Sequence, residues 1–550
     1  MSFKSQTSLH ILLLVCACYF LFFFKMGARD LWSPDEPRYA QVAREMLETG
    51  DWVVPHLNGD VYLEKPPLYF WLIALAAKPF GDVTEAAARF PSALAAALVV
   101  LLTYFLGAKT LGRQEAFLGA VVMATSAQFF RIGRIGALDS LLTLCILAAL
   151  GTFYIAYAKK LPLLYVPGFL FLAPAVLTKG PVGIAVPLVV MFSFLIVEIL
   201  LGKEGGKKHL LYFAAATIVG LVLVVLIVAP WWQAAVERSG GAYGSKSILL
   251  KQTMGRMARS YSHQRPFHYY FGEIFWQFLP WTVFLPLTVH AIWKKGDLRE
   301  SVGLRFLVVW FLSVFLFFTC ISGKRTQYLL PLFPAAGLLI GWALTVLHPA
   351  EGRLRERREF WIPLLALVLL AFGGLVAIVV GAYLHPAVEL SVVLTAVFAS
   401  VVGLSILVRQ CLGRSPRTAL GCVAVVTILV VVVAVGYAGP AVDKYRSARP
   451  FCNNVLAAME DDDELFFYRV YRNNIHYYMH RRIPWLHSEE DVVTALGSSP
   501  RIFLILQWQN KGTLDSGATR FSYETEQVVR AKIGSRDMLC VMVRPNEAPQ

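Results

Sequence analysis

The sequence predicts a polytopic α-helical membrane protein with a small α/β domain at its C-terminal end. Of its 550 residues, 57% are apolar and 16% are charged, whereas an average soluble protein has roughly 25% charged residues. Apolar stretches long enough to cross a bilayer recur along the chain, and the pattern changes to short alternating stretches after residue 440. These observations exclude a disordered chain, a fibrous repeat and a conventional soluble enzyme.

The apolar stretches predict about thirteen membrane spans, because a helix needs roughly 20 apolar residues to cross the hydrocarbon core. The first stretch has no small-residue cleavage site and precedes many others, so it is predicted to be an anchor and not a signal peptide. The predicted spans are 9–27, 86–107, 116–130, 140–158, 161–177, 181–201, 211–232, 273–293, 303–321, 329–348, 360–383, 387–408 and 418–437.

The net charge of +15 is distributed in a way that predicts membrane topology. Residues 440–550 contain 14 Lys and Arg and 14 Asp and Glu, so the excess lies earlier in the chain, between apolar stretches. A nucleic-acid-binding protein would concentrate its positive charge on one soluble face. Short basic loops between spans follow the positive-inside rule, and we expect them to face the cytoplasm. An odd number of spans then places the C-terminal region on the outer side.

The apolar stretch 67–80 is too short to cross a bilayer. If it were a span, every later loop would change sides and the basic loops would lie outside. Its Tyr and Trp residues are typical of the headgroup region. We therefore predict a helix that lies at the membrane interface.

The C-terminal region is predicted to be a separate α/β domain at 440–550, following a membrane domain at 1–439. DELFFYRV, RIFLILQW and MLCVMVRP have the composition of short strands, and the stretches near 450–460 and 488–497 have the pattern of helices. Cys452 and Cys540 both lie in this domain. Outside the cytoplasm they could form a disulfide or remain unrelated free thiols.

The first outer loop, 28–85, contains the strongest candidates for catalytic and binding residues. Asp35 lies two residues before Pro37, which suits the first turn of a helix. Glu64 and Lys65 follow near the end of the loop, directly before two prolines. A solvated, salt-bridged surface would also explain these charges, but long, structured loops are often functional. We interpret this loop as part of a functional site.

The other outer loops add single polar residues at the ends of spans. Any one of them could extend to the lipid headgroups, but together they place many cations on the side that the positive-inside rule leaves poor in Lys and Arg. This departure indicates an anionic ligand, most simply a phosphate. The residues concerned are Arg131, Arg134, Asp139, Lys179, His263, Arg265, Lys324, Arg325 and Tyr328.

The segments DEPRYA, YLEKPP, LTKGP, SHQRPF and GKRTQY occur in this order. In this respect the chain resembles the lipid A 4-amino-4-deoxy-L-arabinose (aminoarabinose) transferase family of the GT-C glycosyltransferase superfamily, which is related to the protein O-mannosyltransferases. The resemblance covers nearly the whole chain. It implies a GT-C fold and an inverting transfer of the sugar from undecaprenyl phosphate to a lipid A phosphate, at the periplasmic face of the bacterial inner membrane. The family's KLPTY-like segment is KRTQY here, which leaves open another sugar, or a protein or another glycan as acceptor.

The resemblance also implies roles for twelve residues of this sequence. Two would be catalytic: Asp35 and Asp139. Four would bind the donor phosphate: Lys65, Arg38, Lys179 and Tyr328. Four would line the donor cavity: Tyr39, Tyr62, Lys324 and Arg265. Two would hold a divalent metal: Glu64 and His263. Whether Asp35 is a base or orients the sugar stays open.

The expected partners are an undecaprenyl-phosphate-linked sugar, lipid A or another periplasmic acceptor, and membrane lipid. No nucleotide is expected, because the sequence contains neither a GxxxxGK[ST] loop nor a GxGxxG segment after a strand. A transporter of lipid-linked sugars is the main non-catalytic alternative. Transporters tend to have internal repeats and ion sites near the bilayer midplane. This sequence shows no repeat, and its ionisable residues gather at one face.

Overall fold

The structure is a computed structural model that describes residues 3–203, 205–244, 264–347 and 439–546. The described chain separates into two compact units. The first unit contains the described residues of Met1–Met26, Leu63–Leu72 and Arg89–Ala438. The second unit contains those of Gly27–Tyr62, Ile73–Ala88 and Gly439–Gln550.

Helices form nearly all of the first unit. Within the described residues, eight are long and apolar enough to cross a membrane, which confirms a multi-pass architecture and eight of the predicted spans. The last three predicted spans, 360–383, 387–408 and 418–437, lie outside the described residues. The eight helices are Ser5–Phe23, Glu85–Thr110, Asp139–Ala158, Pro162–Lys179, Val182–Leu200, Gly206–Arg238, Val302–Cys320 and Thr326–Val346.

The predicted span 116–130 is a bent pair of helices. Arg113–Ala124 and Ala127–Arg134 meet at 65°, and the pair would bring the spans to nine if it crosses as one. Arg131 and Arg134 therefore belong to a helix, whereas the sequence had placed them in a loop. The apolar stretch ends just before Arg131, so hydropathy alone could not predict that the helix continues.

Arg134 has a structural explanation in this helix. Its guanidinium donates hydrogen bonds to the carbonyl oxygens of Leu21 (2.9 Å) and Phe24 (2.8 Å). These carbonyls lie at the end of the first apolar helix, where the backbone lacks helical partners. Arg134 therefore supplies hydrogen-bond donors to two carbonyl oxygens that the bilayer could not satisfy.

The predicted span 273–293 is wrong as a single helix. The structure instead forms the helices Tyr269–Gln277 and Leu285–Lys295, with a short 3₁₀ turn at Trp281–Phe284 between them. Pro280 precedes this turn, and proline has no backbone N–H to continue a helix. The stretch 67–80, in contrast, contains the predicted short apolar helix, here Leu68–Ala77.

Two helices of the first unit pack through glycines. Arg113–Ala124 contributes Gly119, and Phe333–Val346 contributes Gly337 and Gly341, which are spaced as GxxxG. A Cβ added to Gly341 would lie only 2.5 Å from the backbone nitrogen of Gly119. Small residues allow such close approach, which is a common way for membrane helices to associate.

The second unit combines helices with a five-stranded sheet. In spatial order the strands are Trp485–Leu486, Glu464–Tyr468, Ile502–Gln507, Arg536–Pro545 and Tyr523–Ile533. A separate hairpin pairs His56–Leu57 with Asp60–Val61. The helices are Asp35–Thr49, Gly439–Arg446, Arg449–Ala458, Asn473–Met479, Glu489–Leu496 and Lys511–Phe521.

The central strand Ile502–Gln507 organises this sheet. It is parallel to Glu464–Tyr468 and antiparallel to Arg536–Pro545, and all six of its residues are buried. Successive side chains point to opposite faces, so burial of every residue means that both faces are covered. Each of the three predicted strands and both predicted helices of this region is confirmed. Cys452 and Cys540 are free and buried.

A buried ion pair joins two helices of the first unit. Glu198, near the end of Val182–Leu200, accepts hydrogen bonds from Arg305 Nε (2.5 Å) and Nη2 (2.9 Å) and from the Tyr157 hydroxyl (2.6 Å). Arg305 also donates to two backbone carbonyls, those of Leu298 and Arg299. Glu198 is fully buried, so its charge depends on these partners.

We expect Arg305→Ala to destabilise the protein by about 3–5 kcal/mol, because the buried Glu198 carboxylate would lose its counter-ion. Thermal unfolding of the purified protein in detergent measures this effect. Lys203→Ala is the matched control, because Lys203 and Glu300 form an exposed ion pair at 3.1 Å, and exposed pairs contribute about 0–1 kcal/mol. Equal unfolding temperatures for the two variants would contradict the structural role of the buried pair.

Candidate active site

The first unit brings three of the predicted residues together. Asp139 begins the helix Asp139–Ala158 and is 5% exposed, and its carboxylate forms an ion pair with Lys179. The Lys179 ammonium also lies 4.6 Å from the centre of the Tyr328 ring, within cation–π range. The pair and the ring hold one lysine in a defined position.

The LTKGP segment explains why Lys179 is at this position. Lys179 is the last residue of the helix Leu172–Lys179, where the helix dipole favours a cation. Gly180 follows with a φ of +78°, a left-handed conformation that glycine adopts without strain. Its N–H donates to the carbonyl of Val176 at 2.7 Å, and the next helix begins at Val182. The motif is therefore a tight turn between two spans.

Arg131 is a further cation of this group that the resemblance did not include. Its charge interacts with that of Asp139. Its Nε donates to Gln128 at 3.0 Å, and the Gln128 amide in turn donates to the Thr326 hydroxyl at 3.4 Å. These contacts connect the end of Ala127–Arg134 to the segment that carries Tyr328. The only signal in the sequence was its place among the outer-side cations.

Lys324 and Arg265 cross-link two loops of the first unit. The Lys324 ammonium donates to the carbonyls of Ile321 (2.5 Å) and Arg265 (3.4 Å), and the side chain is almost fully buried. Burial lowers the pKa of Lys324. The backbone N–H of Arg265 donates to the carbonyl of Ser322 at 3.3 Å. Lys324 thus has structural contacts in addition to its predicted place in the donor cavity.

The second unit brings together four other predicted residues. Asp35 and Arg38 lie in the first turn of the helix Asp35–Thr49 and form an ion pair. The Arg38 guanidinium lies 5.4 Å from the centre of the Tyr39 ring and 6.0 Å from that of Tyr62. Both rings are buried, so the arginine is held between an acid and two aromatic faces.

Glu45 positions the hairpin that leads to Tyr62. Its buried carboxylate accepts hydrogen bonds from the backbone N–H groups of Asn58 (2.7 Å) and Gly59 (3.0 Å). Both turn residues have positive φ, +60° and +82°. The Tyr62 N–H then donates to the carbonyl of Pro55 at 2.8 Å. Glu45 was not predicted from the sequence, because it has no feature there that distinguishes it from other helical glutamates.

The hairpin is also anchored to the C-terminal part of the second unit. The Asn58 amide donates to the carbonyl of Ile483 at 2.8 Å, and the Ile483 N–H donates back to the Asn58 side chain at 3.0 Å. Arg44 donates to the carbonyl of Tyr477 at 2.7 Å and forms an ion pair with Asp82. The first outer loop and the C-terminal region therefore form one structural unit.

Glu64 and Lys65 lie in a non-helical stretch just before the helix Leu68–Ala77. Glu64 is exposed and Lys65 is partly buried. The structure contains no group of three or more His, Cys, Asp or Glu side chains that could hold a metal ion, as far as the chain is described. His263, the second predicted metal ligand, lies outside the described residues. The metal site stays a prediction.

We expect Glu45→Ala to increase amide hydrogen exchange at residues 56–61, because two buried N–H groups lose their acceptor, at a cost of about 1–3 kcal/mol each. Hydrogen-exchange mass spectrometry of the full chain measures this change. Glu48→Ala, an exposed glutamate one turn later on the same helix, should leave the exchange unchanged. An identical exchange pattern in both variants would refute the positioning role of Glu45.

Comparisons with known proteins show what this chain is similar to. Residues 7–239 match the family profile described as dolichyl-phosphate-mannose-protein mannosyltransferase. The chain is similar to the undecaprenyl phosphate-alpha-4-amino-4-deoxy-L-arabinose arabinosyl transferases of Aeromonas hydrophila and Aeromonas salmonicida. With the first it is 33% identical over 343 residues, 61% of this chain and 60% of that protein. With the second it is 32% identical over 368 residues, 66% of this chain and 65% of that protein. The chain thus spans less than two thirds of the length of these curated relatives.

Solved structures show a likeness over the whole chain. The crystal structure of ArnT from Cupriavidus metallidurans bound to undecaprenyl phosphate has a TM-score of 0.75 at 19% identity, over 98% of both chains. The apo structure of the same protein has a TM-score of 0.77 at 18% identity, again over 98% of both chains. The resemblance predicted from the sequence motifs is confirmed as a similarity: this membrane protein is similar to named undecaprenyl phosphate arabinosyl transferases over about three fifths of its length and shares the fold of ArnT from Cupriavidus metallidurans.

Proposed function

We propose that the protein transfers 4-amino-4-deoxy-L-arabinose from undecaprenyl phosphate to a phosphate group of lipid A. The observation that carries this proposal is the similarity to named arabinosyl transferases, at 33% identity over 343 residues. The family-profile match over residues 7–239 includes eight of the twelve residues predicted to form the site. The ArnT fold supports the same reaction class.

The proposed topology has thirteen spans, in which the helices Tyr269–Gln277 and Leu285–Lys295 together cross once, with the α/β domain at 440–550 on the periplasmic side of the bacterial inner membrane. The eight apolar helices among the described residues and the bent pair account for the first part of this topology. The basic loops between spans support the orientation, because Lys and Arg accumulate on the cytoplasmic side. The chemistry would then take place at the periplasmic membrane surface.

The reaction is a single displacement at the anomeric carbon. The bond from that carbon to the donor phosphate oxygen breaks, and a bond to an oxygen of the acceptor phosphate forms, with inversion. Undecaprenyl phosphate leaves with the electron pair. Fixed cations near the leaving oxygen stabilise the transition state more than the ground state, because negative charge develops there during the reaction.

Lys65 and Arg38 are the proposed cations for the donor phosphate. The described contacts of Arg38 support its role, since Asp35 and two buried aromatic rings hold the guanidinium in place. A guanidinium that is already oriented loses little freedom when it binds a phosphate. Asp35 is the proposed catalytic carboxylate. A lipid A phosphate is already anionic and needs little deprotonation, so Asp35 would serve mainly to orient the sugar.

Lys179, Asp139 and Tyr328 form the second proposed part of the machinery. The ion pair and the ring contact of Lys179 hold its ammonium in a low-mobility position. The donor phosphate is a singly charged diester that becomes a doubly charged monoester as the sugar leaves, so its competition with Asp139 for this cation would increase during the reaction. Asp139 would orient the Lys179 ammonium before the donor binds. It would also neutralise the positive charge of Lys179 after the donor phosphate has left.

A second candidate function is the transfer of another polyprenyl-phosphate-linked sugar to protein or to another glycan. The match to the dolichyl-phosphate-mannose-protein mannosyltransferase profile favours it. A serine or threonine hydroxyl as acceptor would need a general base within hydrogen-bond reach. Asp35 would then act as that base and not only as an orienting group.

We expect lipid A from cells that express the protein to gain the mass of a pentosamine, relative to lipid A from cells without it. Mass spectrometry of extracted lipid A measures the gain. The host must make the undecaprenyl-phosphate-linked aminoarabinose donor, and a host strain without that donor is the control. Unchanged lipid A in a donor-producing host would refute the proposed acceptor, and a glycosylated protein in the same cells would favour the second candidate.

We expect Asp35→Asn and Lys65→Ala each to reduce transfer by about 100-fold or more, because Asp35 orients the sugar at the reacting centre and Lys65 stabilises the charge that develops on the donor phosphate. Transfer from a purified donor to lipid A measures the loss, and thermal unfolding in detergent should change little. Glu48→Gln and Lys78→Ala are the matched controls, because both residues are exposed. Glu48 lies near the end of the helix that begins at Asp35, and Lys78 begins the short 3₁₀ turn Lys78–Phe80. Full activity of both site variants would refute the residue assignment.

A further inference from the structure

A pocket of about 370 Å³ opens in the second unit. Trp32 and Ser33 line it from the start of the first outer loop, and the remaining lining residues come from the C-terminal region. None of the predicted site residues lines this pocket. Its volume lies within the range of small-molecule sites, roughly 300–1,000 Å³. We refer to it as the three-arginine pocket, after Arg446, Arg472 and Arg536.

The charge of the pocket is entirely positive. No aspartate or glutamate lines it, and the three arginines form no ion pair with any described carboxylate. Arg481, Arg482 and Arg520 of this region likewise form no ion pair among the described residues. Five other arginines are paired with acidic residues: Arg449, Arg469, Arg501, Arg530 and Arg544.

The fold holds these arginines close together without a counter-ion. The N–H of Gly534, in the turn before Arg536, donates to the carbonyl of Tyr445 at 2.7 Å, next to Arg446. The Arg446 guanidinium lies 5.0 Å from the centre of the Trp32 ring. Burial lowers the pKa of Arg472, and the charge of Arg536 lowers it further. Like charges brought together cost free energy unless an anion compensates them.

Two polar groups at the pocket are buried without protein partners. The Arg472 Nε is fully buried and has no hydrogen-bond acceptor among the described residues. Asn474 is 4% exposed, and its side-chain oxygen has no donor in the described part of the chain. An unpaired buried polar group costs about 1–3 kcal/mol. A ligand that offers both acceptor and donor atoms would satisfy both groups.

The geometry points to a phosphate monoester carried by a sugar: we propose that the three-arginine pocket binds such a group. A phosphate monoester carries a charge of about −1.5 to −2 at neutral pH, which matches several guanidinium groups better than a singly charged diester does. Guanidinium groups bind phosphate oxygens through paired hydrogen bonds. Sugar hydroxyls would bond to Asn474 and to Ser33, which also lines the pocket.

This inference deepens the proposed function and rests on it for one point, the source of the ligand. Lipid A carries phosphorylated glucosamine units, so its headgroup has the chemistry that the pocket would recognise. The pocket would then be a docking site for the acceptor headgroup, separate from the residues assigned to the donor. A soluble phosphosugar has the same chemistry and is the other source.

Calorimetric titration of the full chain in nanodiscs tests whether the pocket binds a sugar phosphate. Glucosamine 1-phosphate should bind, and glucosamine should not. Arg536→Gln should weaken binding by about tenfold or more, because charge-assisted hydrogen bonds are lost. Arg536 is exposed in a hairpin turn, so its replacement is compatible with folding. Arg530→Gln is the control, since Arg530 lies in the same hairpin and is paired with Asp537.

Three outcomes would overturn the proposal: binding of glucosamine as tight as that of glucosamine 1-phosphate, equal binding of inorganic phosphate, or unchanged affinity in both Arg472→Gln and Arg536→Gln. Nanodiscs that contain lipid A distinguish the sources. If lipid A displaces glucosamine 1-phosphate and dephosphorylated lipid A does not, the ligand is the lipid headgroup. If neither displaces it, the pocket serves a soluble phosphosugar. The titration requires no sugar transfer, so it stands even if the lipid A mass experiment refutes the proposed function.

Discussion

The low polarity of the bilayer is the constraint on which the rest of this structure depends. A charge in the hydrocarbon region is costly unless it is paired or reaches water. The described spans comply in two ways. Glu198 is buried, but Arg305 and Tyr157 satisfy it. Asp139 and Lys179 instead lie at helix ends, where a span meets the membrane surface. The candidate machinery of the first unit is confined to such ends because few other places tolerate charge.

The second unit follows a different rule, since it is built like a soluble α/β domain. Its core is a five-stranded sheet with a fully buried central strand, and eight of its described arginines are paired with acids. The three-arginine pocket departs from this pattern. Surface arginines are readily neutralised by a neighbouring carboxylate, and here that compensation is absent among the described residues. Under the proposed function both substrates carry phosphate groups, which gives a physical reason to keep cations available outside the proposed catalytic residues.

Much of this architecture could be predicted, because its signals are local. Span-length apolar stretches, an acid two residues before a proline and alternating strand patterns each depend on neighbours in sequence. The helix that begins at Asp35 and the three predicted strands are confirmed for this reason. The bend after Ala124 and the break near Pro280 were missed, since hydropathy measures the polarity of a segment and not the continuity of its hydrogen bonds. A window average cannot detect where a helix changes direction.

The sequence by itself determined that the chain is a membrane protein, where its charges gather and which reaction class its motifs resemble. These properties follow from composition and short motifs, because the free energy of burying a residue depends directly on its polarity. Only the tertiary structure decided which charges have partners. Glu45 fixes the hairpin before Tyr62, and Asn58 bonds with Ile483, 425 residues away in the chain. Hydrogen bonds and ion pairs act over a few ångströms in space whatever the separation along the chain, so their partners become known only when the fold brings them together.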